Sequence, residues 1–297
     1  RTSGCDAMIW ANVAIQGMLL GGLYALFATG LALVFGVMRM VNLAHGDLGI
    51  LAAFVALFII QSFGLPLLWA SVVTIIIMFL VGYVLQRGLL NHTLGVDDTR
   101  PIVVTFGLSI IIQNALIMKF SADSQGLDAG KIENISVKIT KQLSIGWFPL
   151  IVFVIAIAVI AGLQFFLARA KLGRAFRATS DDREAAELMG INNKHIYSLA
   201  MAIALATVAV AGILLAIRTT FDPTQGSFRL IYAFEAVIMG GMGSMWGTLL
   251  GGIVLGMSQT IGTQAFGAGW GLVVGHLVFL TVLAVRPSGF FAKTVTA

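Results

Sequence analysis

Charge is scarce in this 297-residue sequence: Asp, Glu, Lys and Arg make up 10% of it, against about 25% in ordinary soluble domains. Apolar residues make up 59%. A water-soluble surface cannot be built from so little charge, so the usual expectation of one large or two medium soluble domains is set aside. Cysteine is represented by Cys5 alone, which excludes an internal disulfide framework and a thiolate metal site. The phosphate loop G-x4-G-K-[ST] is also missing; the nearest glycine cluster, Gly240-Gly241-Met242-Gly243, has no Lys after it and lies in an apolar run. His92, His195 and His276 fall on different spans or connections without metal-ligand spacing. No catalytic set and no metal site are expected.

What is present is a series of apolar runs close to the ~20 residues that cross a bilayer. They are continuous, not alternating, which selects helices over a barrel, because a helix satisfies its own backbone in lipid. The fold class expected is an all-α polytopic membrane protein, with spans near 8–37, 47–63, 66–86, 101–118, 147–168, 196–217, 230–242, 248–261 and 269–285. The first span would be about 45 Å long at 1.5 Å per residue, so it must tilt strongly or break near Gly21–Gly22. The expected count is nine or ten, or eight if short segments re-enter. Residues 1–7, RTSGCDA, lack an initiator Met and a basic stretch ahead of an apolar one. They read as a trimmed or added N-terminal stub, not a signal peptide. A single membrane domain then covers 8–289, followed by a tail at 290–297.

The net charge of +5 does not call for nucleic acid. Arg169, Lys171, Arg174, Arg177, Arg183 and Lys194 crowd one connection, and Arg286 and Lys293 follow the last span. The positive-inside bias places both in the cytoplasm of an inner-membrane protein. Threading back puts 87–100 inside and 121–146 outside, where the SVKIT alternation suggests a short strand or hairpin. Glycines spaced by four, such as Gly17/Gly21, Gly252/Gly256 and Gly267/Gly271/Gly275, let helices approach closely within the chain. HGDLGIL and MGSMWGTL are both glycine-rich starts to a helix, a faint hint of internal duplication.

The segment 175–190, AFRATSDDREAAELMG, stands out as charged within this apolar chain. Thr179 or Ser180 would cap a helix with Asp181, Asp182 and Glu184 in its first turn, and Gly190 would end it. Ala185, Leu188 and Met189 share a face flanked by Arg183, Glu184 and Glu187. This is the shape of a helix laid in a partner's groove. A helix resting on the membrane is the alternative, but four acids between Asp181 and Glu187 would be repelled by anionic headgroups.

Polar groups inside apolar runs are costly, about 2.5–3.5 kcal/mol for a charge on insertion scales. In RMVNLAHGDLG, Gly46 and Gly49 permit a break at which Asn42, His45 and Asp47 could converge to bound a route or gate. The alternative is that Asp47 caps the next span and pairs with Arg39 or His45. Glu235 would contact a substrate ammonium or pair internally with Arg229 or Arg218. Gln113 and Asn114, with Thr105 and Ser109, form a polar stripe that either lines a path or bonds a neighbouring helix. Arg218 and Asp222 read as a local pair at a helix end.

EAAELMG matches the EAA-x3-G signature of bacterial ABC importer permeases. Together with VNLAHGDL and GGMGSMWGTLLGG, the block GRAFRATSDDREAAELMGIN resembles the branched-chain amino acid permease family, LivH type, from about Gln16 to Gly289. The Leu-Pro that closes the longer signature in many other importers is absent. The resemblance implies an ATPase-coupling helix carried by Arg177, Asp181, Asp182, Glu184, Ala185, Ala186, Leu188 and Gly190. It also implies a second, homologous permease in a heterodimer, two cytoplasmic ATPase subunits that bind ATP and Mg, and a periplasmic binding protein. Related permeases serve branched-chain amino acids, urea or short amides, and aromatic acids, so the substrate stays open here. A secondary transporter using Asp47, His45 and Glu235 as a relay leaves the acidic helix unexplained, and an intramembrane enzyme lacks a nucleophile.

Overall fold

The computed structural model describes residues 2–94, 99–130, 135–138 and 144–291, and within these the side chains of all but 2–7, 137, 138 and 145. The helices are α1 (Thr2–Met38), α2 (His45–Phe63), α3 (Leu67–Gly88), α4 (Thr99–Phe120), α5 (Trp147–Arg169), α6 (Lys171–Asp181), α7 (Arg183–Leu188), α8 (Asn193–Arg218), α9 (Gly226–Gly240), α10 (Met245–Phe266) and α11 (Trp270–Val285). A 3-10 turn, Leu90–His92, follows α3. Strands β1 (Ser136–Lys138) and β2 (Ser144–Gly146) pair antiparallel, the hairpin that the alternation suggested; Ile139 and Thr140 of that stretch lie outside the described residues, as do Lys293 and the rest of the tail from 292.

Six helices among the described residues are long and apolar enough to cross a membrane. α9 and α10 form one further pair bent by 118°, and α11 is apolar but shorter. Segments 230–242 and 248–261, expected as two spans, are thus the two arms of one bent pair. Eight, the lower end of the expected range, is the count when that pair is one unit and α11 is included. Of the two alternatives for the long first span, a strong tilt or a break near Gly21–Gly22, the break is not present: α1 is one continuous helix. A Cβ at Gly21 would run into the Gly252 backbone and one at Gly22 into Phe153, so these glycines permit close contact and do not interrupt the helix.

Burial is arranged as lipid requires. The membrane windows of α1 and α8 are 83% and 78% enclosed, whereas that of α5, the most apolar span, is 17% enclosed. α1 runs from the hairpin, where the Gln16 side chain donates to Ser144 O at 2.9 Å, to the cationic end, where Ser180 Oγ donates to Gly36 O at 2.7 Å. α10 lies antiparallel to α1, with Gly21 meeting Gly252 and Gly17 meeting Gly256 backbone to backbone. Gly271 and Gly275 instead make room for side chains of α10, those of Thr263 and Gln259. The glycine spacing therefore serves packing inside the chain, where contact energy and not the hydrophobic effect holds helices together.

α2 begins halfway along α1. His45 Nε2 donates to Phe27 O at 2.9 Å, and α2 then runs beside α8, with Gly49 against Gly212 and the Phe54 and Phe221 rings 4.9 Å apart. HGDLGIL and MGSMWGTL do open α2 and α10, but the start of α2 meets the start of α9, where a Cβ at Gly46 would strike Gly226 O.

Replacing Gly252 by Val puts atoms where Ala25 N and the Gly21 backbone already stand. The expected cost is about 1–3 kcal/mol, the usual penalty of overpacking, read as a lowered melting temperature in detergent. Gly107→Ala, which meets nothing within 4 Å, is the matched control; equal melting of both variants would refute the glycine contact.

Candidate functional site

At the cationic end the chain forms two short helices and not the single one expected. The break follows from Asp182, whose extended backbone ends α6 and whose carboxylate accepts from Ala185 N at 3.0 Å to cap α7. Thr179 and Ser180, expected as caps, instead anchor α6. Thr179 is buried and donates to Asn193 Oδ1 at 3.1 Å, Ser180 holds Gly36, and Arg39 reaches Ser180 O at 3.3 Å. Arg177 donates to Leu167 O at 2.9 Å, a tether to α5. Gly190 has φ 84°, with its N–H on Glu187 O and Ile191 N–H on Ala186 O, each 3.0 Å. That pairing is a complete left-handed helix stop. Ala186 faces inward, while Asp181, Glu184 and Ala185 are exposed and Leu188 and Met189 are 88% and 82% exposed. The face Ala185, Leu188, Met189 is therefore turned away from the protein. Arg183, expected on its flank, folds back to stack at 5.7 Å on the Tyr197 ring.

Asp47 is buried where three helices meet. Its carboxylate accepts from Ser109 Oγ at 2.5 Å and from Gln113 Nε2 at 2.9 Å, both on α4, and Gly226 of α9 lies so close that a Cβ there would overlap the Asp47 side chain. It sits in the first turn of α2 and beside the first turn of α9, where the positive ends of two helix dipoles favour an anion. Neither expected partner is used, since Arg39 serves Ser180 and His45 serves Phe27. Asn42 accepts from Ala44 N at 3.0 Å and approaches Met201 Sδ at 3.9 Å. Asn42, His45 and Asp47 thus share one turn but point to three different helices. Of the polar stripe, Thr105 receives Leu43 N–H, and Ser109 and Gln113 hold Asp47. Asn114 does not join; it bonds back to Ile110 O at 2.8 Å on the exposed side of its own helix.

Glu235 pairs with neither arginine. Its Oε1 lies 2.5 Å from His276 Nδ1 on α11, and the His276 ring stacks at 6.5 Å on Tyr232. Tyr232 in turn sits 5.0 Å from the ring of Tyr24, whose hydroxyl donates to Gln259 Oε1 at 2.7 Å. Asp222 also departs from expectation. It accepts from Thr224 N, Thr224 Oγ1 and Gln225 Nε2, leaving Arg218 aside. Burial pushes its carboxyl up, and these hydrogen bonds outweigh that effect and hold it below the usual carboxylate range.

His276, Tyr24, Tyr232 and Gln259 were missed in sequence. The signal that singled out Glu235, an ionisable group within an apolar run, applies equally to His276, which stands inside α11. Nothing in local spacing announces that residues 24, 232, 259 and 276 meet.

Asp47→Ala would leave the buried Ser109 hydroxyl without this acceptor, leave the Gln113 amide only its longer bond to Ser227 Oγ at 3.3 Å, and expose two dipoles to no countercharge. The expected loss is about 3 kcal/mol of stability, with Asp47→Asn losing less because one acceptor oxygen remains. Thermal unfolding of purified protein checks this ranking; an Ala variant as stable as the parent would contradict it.

The family model described as branched-chain amino acid transport system / permease component matches residues 13–283. The chain is 31% identical to the high-affinity branched-chain amino acid transport system permease protein BraD of Pseudomonas aeruginosa, over 94% of each chain. It is 28% identical to LivH of Escherichia coli K12, also over 94% of each, and 26% identical to the probable LivH of Methanocaldococcus jannaschii, over 94% of this chain and 91% of that one. A match across nearly all the helices just described, with α6, α7 and the α2 and α10 starts inside it, makes this chain a member of the branched-chain amino acid permease family.

Proposed function

We propose that this chain is a membrane-spanning permease subunit of an ABC importer, passing branched-chain or related hydrophobic amino acids from a binding protein outside the membrane to the cytoplasm. ATP is hydrolysed, with its Mg, in two separate cytoplasmic subunits. The observation that carries the reading is α7: a capped helix of six residues that presents Leu188 and, just past its end, Met189 to solvent, after the acids Glu184 and Glu187, at the end of the molecule where Arg169, Arg177 and Arg183 gather. Two large apolar side chains held out at over 80% exposure by a capped and stopped turn fit a groove in another protein. That end is taken as cytoplasmic from its cations, and the β1–β2 hairpin end as the outer side.

A second, homologous permease completes the unit in this reading. The exposed apolar faces of α3, α4 and α5, with Trp69, Ile76, Val103, Phe106 and Phe165, serve as lipid or subunit contacts. An ion-gradient relay through Asp47 is disfavoured by its surroundings, because both its oxygens are already engaged by Ser109 and Gln113. Substrate choice among branched-chain acids, short amides and aromatic acids would rest with the binding protein.

Leu188→Asp and Glu184→Lys alter only exposed atoms, so both variants are expected to insert and melt like the parent. Binding-protein-dependent uptake into proteoliposomes carrying the whole assembly should fall by about tenfold or more for Leu188→Asp, as expected of an interface anchor. Gly190→Trp, forced into a left-handed backbone, should act likewise. Unchanged uptake in all three would remove α7 from the coupling step.

A further inference from the structure

Two cations flank the α8–α9 connection without an ion pair among the described residues, Arg229 acting on Asp222 only at longer range. Arg218 ends α8 and Arg229 lies in the first turn of α9. The only carboxylate–cation contact among the described residues is Glu235 with His276, so no described acid bridges either arginine. Arg218 Nη1 and Arg229 Nε are buried without any hydrogen-bond partner, and the sole side-chain bond of Arg229 runs from Nη2 to Gln225 Oε1 at 3.1 Å. Asp222, the acid nearest in sequence, is committed to Thr224 and Gln225. Both arginines are half-buried, and a guanidinium nitrogen held out of water without an acceptor is costly to keep.

The opposite charge is left open a short way along the same helix. Glu235 Oε2 is buried and unpartnered, as is Gln259 Nε2. Arg229, Tyr232 and Glu235 follow one another at i, i+3 and share a face of α9. Six residues separate the two charges, about 9 Å along the axis, with Tyr232 between them. The Tyr24 ring lies 5.0 Å from that of Tyr232, the residue between the two charges of α9, and Tyr24 is within electrostatic range of Arg218 at the end of α8. Apolar Met239 and Leu255, with Leu20 and Val254, pack around the Tyr24–Tyr232 pair. A pocket of about 330 Å³ toward the hairpin end is lined by Asn12, Gln16, Leu20, Gln259 and Thr263. It shares Gln259 with Tyr24.

We propose that this seam between α1, α8, α9 and α10 is a transient binding site for a zwitterionic α-amino acid. The carboxylate lies on Arg218 and Arg229, the ammonium on Glu235 Oε2, and the apolar side chain on the Tyr24–Tyr232 cluster. An inorganic anion would be repelled by Glu235 and a simple amine by the arginines; a zwitterion answers both. The site rests on the importer reading and specifies which groups of the substrate the membrane subunit recognises.

The test uses the whole assembly in proteoliposomes with radiolabelled leucine as probe, varying the concentration of loaded binding protein. Arg218→Gln, Arg229→Gln and Glu235→Gln are each expected to lower the maximal uptake rate by about tenfold or more, the loss of one charge-assisted hydrogen bond. The half-saturating concentration of binding protein should be unchanged. In parallel, millimolar leucine should raise the melting temperature of the parent assembly without binding protein, whereas leucinamide and 4-methylpentanoate, each lacking one charge, should not. Arg229→Lys, which keeps the charge, should recover part of the rate and guards against a merely unfolded variant. Parent-like maximal rates in all three Gln variants, or equal protection by the truncated analogues, would overturn the site while the importer reading stood. A raised half-saturating concentration alone would assign the arginines to docking of the binding protein and overturn the site as well. Absence of any leucine uptake by the parent assembly would instead overturn the importer reading, and the site with it.

Discussion

Within the bilayer no water is available to finish a hydrogen bond, so each polar group of this chain must be answered by another part of the chain. Asp47 shows how much structure one such requirement can fix. The carboxylate draws the Ser109 and Gln113 side chains of α4 to one side and the first turns of α2 and α9 to the other. Those turns can come so close only because Gly46 and Gly226 carry no Cβ. Remove the anion and two sets of unpaired helix N–H groups face each other across a dry gap. The start of α2 halfway along α1, the return of the chain at α9 and the place of α4 all follow from satisfying this one group.

Much of the architecture was legible because the bilayer imposes a coarse code. Long apolar runs, cations collected at one end and glycines at spacing four lead to helices, sidedness and close packing without any knowledge of contacts. The docking turn was legible for a different reason: acids in a first turn and a glycine stop are local signals, and Asp182 and Gly190 use them as local chemistry dictates. Its inner boundary was not, since Thr179 and Ser180 are as suited to capping as Asp182 and were claimed by Asn193 and Gly36, residues 14 and 144 positions away. The same limit applies to Glu235. Any of Arg218, Arg229 or His276 satisfies a carboxylate on paper, and the choice depends on how α11 folds over α9, which no periodicity encodes. The unbroken α1 is a related case, because a glycine pair in a helix looks the same whether it bends the helix or lets Gly252 and Phe153 in.

Polar groups in this molecule fall into two kinds, and the division follows the path of the chain. In the α6–α7 segment they are paired: Asp182, Thr179, Ser180, Arg177 and Asn193 each have partners that tie α6 and α7 to α1, α5 and α8, although Gln86 Oε1 at the same end is left without one. Around Tyr24 they are not, with Arg218, Arg229, Glu235 and Gln259 each keeping a buried atom unanswered. Saturated networks hold one geometry, while unsatisfied ones raise the energy of the state that contains them. A ligand that supplies the missing partners lowers that energy only while it is present, which is the differential affinity a conformational cycle requires.

The two kinds are mechanically joined. Ser180 grips α1 at Gly36 and Thr179 grips α8 at Asn193, and these are the two most enclosed spans. Tyr24 is carried by α1 and Arg218 by the far end of α8. In the proposed importer, a displacement of α6 and α7 would therefore be delivered to helices that stand on either side of the unsatisfied cluster, through bonds too short to absorb it. Gly49 against Gly212 and Gly21 against Gly252 leave backbones in direct contact, without the long side chains that would let one helix shift while its neighbour stays. Stiffness near the docking turn and unfinished bonding near Tyr24 thus belong to one device, in which work applied at one end alters the distance between charges at the other.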